Sequence, residues 1–161
     1  MKTTREEGTA METEIVQVTH NDTDLHALIN KLDEDLFQRY PEDEVFALDF
    51  NDPDIKDIVF LVAYFAGVPV GCGAIRPLDD TYVELKRFYV DPTFRRQGIA
   101  AAILTNLETT ANDRKFKYIR LEAGAPQPEA LRFYMKHGYY AIDRYGEYVN
   151  CESSLCYEKK L

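Results

Sequence analysis

Arg95-Arg96-Gln97-Gly98-Ile99-Ala100 sets two cations and a glycine beside the start of an apolar periodic segment. Ile99, Ile103, Leu107 and Ala111 recur at helical spacing after it. Before it, residues 83–90 are rich in β-branched and aromatic types and stop at Asp91-Pro92. A strand that feeds such a helix start points free backbone N–H groups at whatever lies there. Those groups, the helix dipole and two arginines make an anion site suited to phosphate. The turn is not a P-loop, since no Gly-Lys-Ser/Thr follows. Nor is it a dinucleotide fingerprint, since Gly98 lacks partner glycines. The plain alternative is an ordinary helix end with a solvated arginine pair.

Other chemistries find less support. His20, His26 and His137 are scattered, and Cys72, Cys151 and Cys156 lack metal spacing, so no metal site is expected. Cys72 and Cys156 read as buried reduced thiols. The net charge of -9 argues against general nucleic-acid binding. No apolar run approaches the roughly 20 residues of a membrane span, and the N-terminus lacks a signal-peptide core. A cytoplasmic protein, monomeric or homodimeric, is expected. Its 161 residues, 45% hydrophobic, suit one domain.

The elements that must position the turn follow in order. Residues 1–12 read as a loose tail and 13–161 as the domain. Residues 14–18 alternate as a first strand. Asn21 or Asp22 can cap a helix whose apolar face is Leu25, Leu28, Ile29, Leu32, Leu36 and Phe37, ended by Tyr40-Pro41. Residues 42–56 read as a loop or short helix able to close over a substrate. Residues 58–65 and 68–75 form a hairpin, with Gly71 and Gly73 demanding a close neighbour. A turn at 78–81 leads to the strand at 82–90. After the central helix come a strand at 117–122, a helix begun by Pro128 and closed by Gly138, and strands at 139–142 and 154–158. The fold class is α/β, a mixed, mostly antiparallel sheet flanked by helices in the order β-α-βββ-α-β-α-β-β.

Across about residues 14–160 this arrangement resembles the GNAT N-acetyltransferase superfamily. The carriers are Phe88-Tyr89-Val90-Asp91-Pro92 and the turn Arg95-x-x-Gly98-x-Ala100, which fits the family pattern Arg/Gln-x-x-Gly-x-Gly/Ala. A second carrier is the segment from Gln127 to Tyr139, similar to the family's closing helix. The resemblance implies that acetyl-CoA lies along the strand, beside Phe88, Tyr89 and Val90. The turn residues Arg95, Arg96, Gln97, Gly98, Ile99, Ala100 and Ala101 would hold its diphosphate. Gln127 stands where many relatives carry an asparagine that touches the cofactor arm, and offers the same donors and acceptor on a longer stem.

The chemistry implied is acetyl transfer to a primary amine of a small or amino-acid-like acceptor, by base-assisted attack in a ternary complex. A lysine-like amine has a pKa of about 10.4, so roughly one in a few thousand is neutral at pH 7 and a base is needed. By resemblance, Glu84 and Glu122 are both candidates for it. The plain reading of each is a solvated or ion-paired carboxylate, with Lys86 as the partner for Glu84 on the same strand face. Tyr134 matches the family's acid, which lies near the thioester sulfur. Lys86, Tyr145 and Tyr148 are candidates for the acceptor pocket. A non-catalytic acyl-CoA sensing domain is the alternative, disfavoured by the presence of Tyr134 and two placed glutamates.

Overall fold

The computed structural model describes residues 13–124 and 127–161. The expected tail at 1–12 lies outside the described residues. One sheet of seven strands organises the chain: β1 Thr13–Val18, β2 Val59–Phe65, β3 Val68–Pro77, β4 Tyr82–Val90, β5 Tyr118–Gly124, β6 Tyr140–Ile142 and β7 Ser154–Lys160. Its spatial order is β1-β2-β3-β4-β5-β7-β6. Among the described residues, only β4 and β5 run parallel. The expected order of elements is the one observed, with boundaries shifted by a residue or two.

Among the described residues, three α-helices cover the two faces. Helix α1, Thr23–Arg39, starts at Asp22, whose carboxylate accepts from the Leu25 amide at 3.0 Å. It ends as Tyr40 turns extended before Pro41. Its buried stripe of Leu25, Leu28, Ile29 and Leu32 packs with Phe60, Val62, Cys72 and Ala74. Each such side chain contributes about 1.5–3 kcal/mol by leaving water. Helix α2, Ile99–Asp113, buries Ile103, Leu104 and Leu107 on the opposite face. Helix α3, Pro128–Lys136, has proline in its first turn, and Gly138 follows it at φ +95°.

The glycines of β3 meet the neighbour they need. A Cβ on Gly73 would stand 3.0 Å from methyls of both Ile103 and Leu107, and one on Gly71 would stand 2.9 Å from the Tyr89 carbonyl. Their bareness lets α2 lie close against the sheet. Segment 42–57 is largely irregular, with 3-10 turns at Glu42–Glu44 and Pro53–Asp57. All three cysteines are free, and Cys72 and Cys156 are buried. No helix among the described residues is long and apolar enough to cross a membrane.

Two departures from regularity shape the site. Strand β4 carries a bulge: its register with β3 runs Cys72↔Tyr89 and then Ala74↔Lys86, so Arg87 and Phe88 have no partners in that ladder. Arg87 takes φ +50° there. Strands β4 and β5 also pair over only three residues, Tyr82↔Tyr118 to Glu84↔Arg120. Beyond that the sheet forks, one arm ending in β4 and the other in β5.

Candidate functional site

The fork opens between two spaces. A cavity of about 80 Å³ lies between β4, β5 and the segment after α1, with Lys86, Glu122, Tyr134 and Tyr148 on its wall. A larger cleft of about 710 Å³ runs from the end of β4 past the α2 turn to α3. Phe88, Gln127, Ala130 and Tyr134 border both. The two spaces therefore meet at these residues and at Leu32, with Tyr134 and Gln127 among them.

The cleft holds Phe88, Tyr89, Val90, Arg95, Arg96, Gly98, Ala100 and Ala101 on its wall. Gly98 caps α2 in the left-handed region at φ +80°, with no side-chain hydrogen bond to the cap. The first free amide to find a carbonyl is that of Ala102, which bonds Gly98 O at 3.0 Å. The amides of Ile99, Ala100 and Ala101 are thus left as donors at the positive end of the dipole. A Cβ on Gly98 would meet nothing within 4 Å, so an anion has room there. Arg96 also turns through positive φ, at +67°. The Ile99 side chain packs in the core, so only its backbone faces this end, and Gln97 does not line the cleft. Arg95 Nε donates to the Val90 carbonyl at 3.0 Å, so that carbonyl is already engaged at the strand end.

Around the cavity the structure redistributes the expected partners. Glu84 is fully buried, and Lys86 is not its ion partner. Arg76 Nη2 donates to Glu84 Oε1 at 2.5 Å, while the hydroxyls of Tyr145 and Tyr148 each donate to Oε2 at 2.7 Å. Lys86 Nζ instead donates to the Tyr148 hydroxyl at 2.9 Å and to the Phe46 carbonyl at 3.2 Å. Tyr148 stands between the two residues that share a strand face. Arg76 and Glu84 are direct register partners across the β3–β4 hairpin. The turn at 78–81 fixes that register, and was the signal that could have found the pair.

Glu84 and Tyr145 do not reach the cavity wall; Tyr148 and Lys86 do. Glu122 is on the wall too, its Oε2 accepting from Ser154 Oγ at 2.7 Å. Burial pushes the Glu122 carboxyl above its ordinary value, with the Ser154 hydrogen bond opposing. Burial pulls the Lys86 ammonium down, partly offset by Glu84. Tyr134 is buried, and desolvation, then Glu122, raises its phenol pKa, so its hydroxyl stays protonated.

Sequence reasoning missed the parts that hold the cavity's roof. Phe46 presents one carbonyl to two cations, Lys86 and Arg87, the latter through Nη2 at 3.1 Å. Arg87 Nη1 also pairs with Asp33 of α1. Ser153 Oγ holds Glu44 Oε1 at 2.6 Å. Tyr40 was read only as a helix stop, yet it lies on the cavity wall. None of these contacts has a local sequence signal, because each joins residues far apart in the chain.

The Acetyltransferase (GNAT) family model matches residues 23–139. The chain belongs to the GNAT acetyltransferase family. As a GNAT protein it is an acyltransferase by class. An "IAA acetyltransferase" of Azospirillum brasilense is 36% identical over 135 residues, covering 83% of this chain and 88% of that protein. A crystal structure from Klebsiella pneumoniae, classed as an acyl-CoA N-acyltransferase, has TM-score 0.79 and 29% identity over 92% of this chain and 97% of that one. A GNAT acetyltransferase from Elizabethkingia anophelis, solved with acetyl-CoA bound, shares the fold at TM-score 0.70 and 18% identity, over 93% of this chain and 99% of that one.

Proposed function

We propose that this GNAT protein moves an acetyl group from acetyl-CoA directly to the primary amine of a small, amino-acid-like acceptor. The observation that carries the reading is the meeting of two spaces at one buried tyrosine: a long cleft with an anion-binding helix start, and a small cavity with a carboxylate on its wall. The donor fits the cleft on local grounds. The free amides of α2, the bare Gly98 and two arginines suit a diphosphate. The acetyl-CoA of the Elizabethkingia protein supports the same occupant.

Each residue then has a task. Glu122, with its raised pKa, takes a proton from the acceptor ammonium. The neutral nitrogen bonds to the thioester carbonyl carbon as the carbon–sulfur bond breaks. Tyr134 donates a hydrogen bond to the departing thiolate, and the second amine proton ends on that sulfur. No covalent enzyme intermediate is needed. Lys86 Nζ makes two hydrogen bonds and lies 3.9 Å from Glu147 Oε2, and we assign its third N–H to an acid group on the acceptor. Glu84 serves this scheme indirectly, by fixing Tyr148 and through it Lys86.

A thiol-release assay with acetyl-CoA over matched amines, with and without a neighbouring carboxylate, tests the reading. Turnover of the carboxylate-bearing amines is the expected result. Turnover of plain amines alone would remove the Lys86 assignment. Tight acetyl-CoA binding with no turnover on any acceptor would favour a sensing domain.

A further inference from the structure

Tyr40 lies at the exit of α1, where its backbone turns extended at φ -132° and ψ 150°. Its ring crosses the end of β5. A Cβ on Gly124 would stand 1.9 Å from the Tyr40 hydroxyl and 2.5 Å from ring carbons, so that strand end is shaped around this one side chain. The hydroxyl donates to Gln127 Oε1 at 2.7 Å. Burial, then the nearby Glu122, pushes the phenol up to about 12, so the donor stays protonated.

The consequence falls on Gln127. A glutamine amide has one oxygen and two N–H donors, and nothing in its own shape says which way it faces. Here the Tyr40 phenol O–H donates and the Gln127 oxygen is its partner, which leaves both Gln127 N–H donors for other contacts. Gln127 borders both the cavity and the cleft, whereas Tyr40 borders only the cavity. We propose that Tyr40 is a positioning residue: it holds the Gln127 carbonyl on the acceptor side and so offers the cleft only N–H donors. A partner that suits donors alone is an amide carbonyl on an extended thioester arm. This rests on the reading of the cleft as the acetyl-CoA site.

The test is a double-mutant cycle on Tyr40→Phe and Gln127→Ala, with acetyl-CoA affinity read by calorimetry alongside melting temperature and the kcat and KM for both substrates. Tyr40→Phe should weaken acetyl-CoA binding by about 3- to 10-fold, the scale of one oriented hydrogen bond. The KM for acetyl-CoA should rise with it, while the KM for the amine holds. In the Gln127→Ala background, Tyr40→Phe should change affinity no further. Unchanged affinity in Tyr40→Phe would overturn the proposal. So would an equal loss with and without Gln127, which marks a general structural role. Absence of acetyl-CoA binding in the unaltered protein would overturn the reading of the cleft itself, a distinguishable failure.

Discussion

Removing the charge of Glu122 while keeping its shape separates two effects that the wild-type residue combines. Glu122→Gln retains an oxygen for Ser154 but cannot take a proton. Turnover should fall by about 10²- to 10⁴-fold, and the rising limb of the pH–rate profile that tracks this carboxyl should disappear. Stability should move the other way. Because the folded pKa is raised, the native state binds more protons than the unfolded chain between the ordinary carboxylate value and the raised one. Stability is therefore lost as pH rises through that window and stays lost at neutral pH. The Gln variant should melt above wild type at pH 7.5, with the gap closing near pH 4, where unfolded carboxylates protonate. A gap independent of pH would show that ionisation is not its cause. Tyr134→Phe is the companion test. It should lower kcat by about 10²-fold, on the scale of one lost donor to a developing anion, with acetyl-CoA affinity retained. Unaltered turnover would return Tyr134 to a packing role beside Phe88 and Tyr139.

At the level of elements, β3 and α2 depend on what their glycines leave out. Gly73→Val would drive methyls into Ile103 and Leu107, already 3.0 Å from where a Cβ would stand. Overpacking of this kind costs about 1–3 kcal/mol, visible as a lower urea midpoint. Gly98→Glu acts differently, because its Cβ would have open space. It should cost about 1–2 kcal/mol through the left-handed backbone alone. Its carboxylate would face the diphosphate at the helix start and lower acetyl-CoA affinity about 100-fold or more, measurable by calorimetry. These two positions also show how far the chain could be read locally. Periodicity, a capping aspartate, Pro128 and Gly138 marked the elements, since each signal acts within a few residues. The pairing of Glu84 was misread because the same-face rule along β4 pointed to Lys86. The cross-strand register pointed to Arg76, and Tyr148 from the far end of the chain came between. The cavity roof at Phe46 was illegible for the same reason: its anchors come from β4.

Considered whole, the molecule is a sheet that divides. Three residue pairs join the parallel strands β4 and β5, and past Glu84 and Arg120 nothing in the ladder bridges the two arms. The proposed donor cleft lies on one side of that opening, the proposed base on the other, and Tyr134 and Gln127 border both spaces. The turn proposed to hold the diphosphate was legible as a helix start because it is one short stretch. The proposed acceptor side draws on α1, β4, β5 and the segment between β6 and β7, and only the folded chain assembles it.

The fork also leaves the protein with an unfinished seam. A donor molecule lying along β4 would be the strip that closes it, so part of the sheet's cohesion would come from outside the chain. Saturation with acetyl-CoA at about 100 times its dissociation constant should then add about 2.7 kcal/mol of stability. Deuterium uptake should slow on both arms of the fork together, at residues 86–90 and 121–124, rather than at the helix start alone. Slowing confined to the helix start would mean that the donor docks by its phosphates and leaves the seam open.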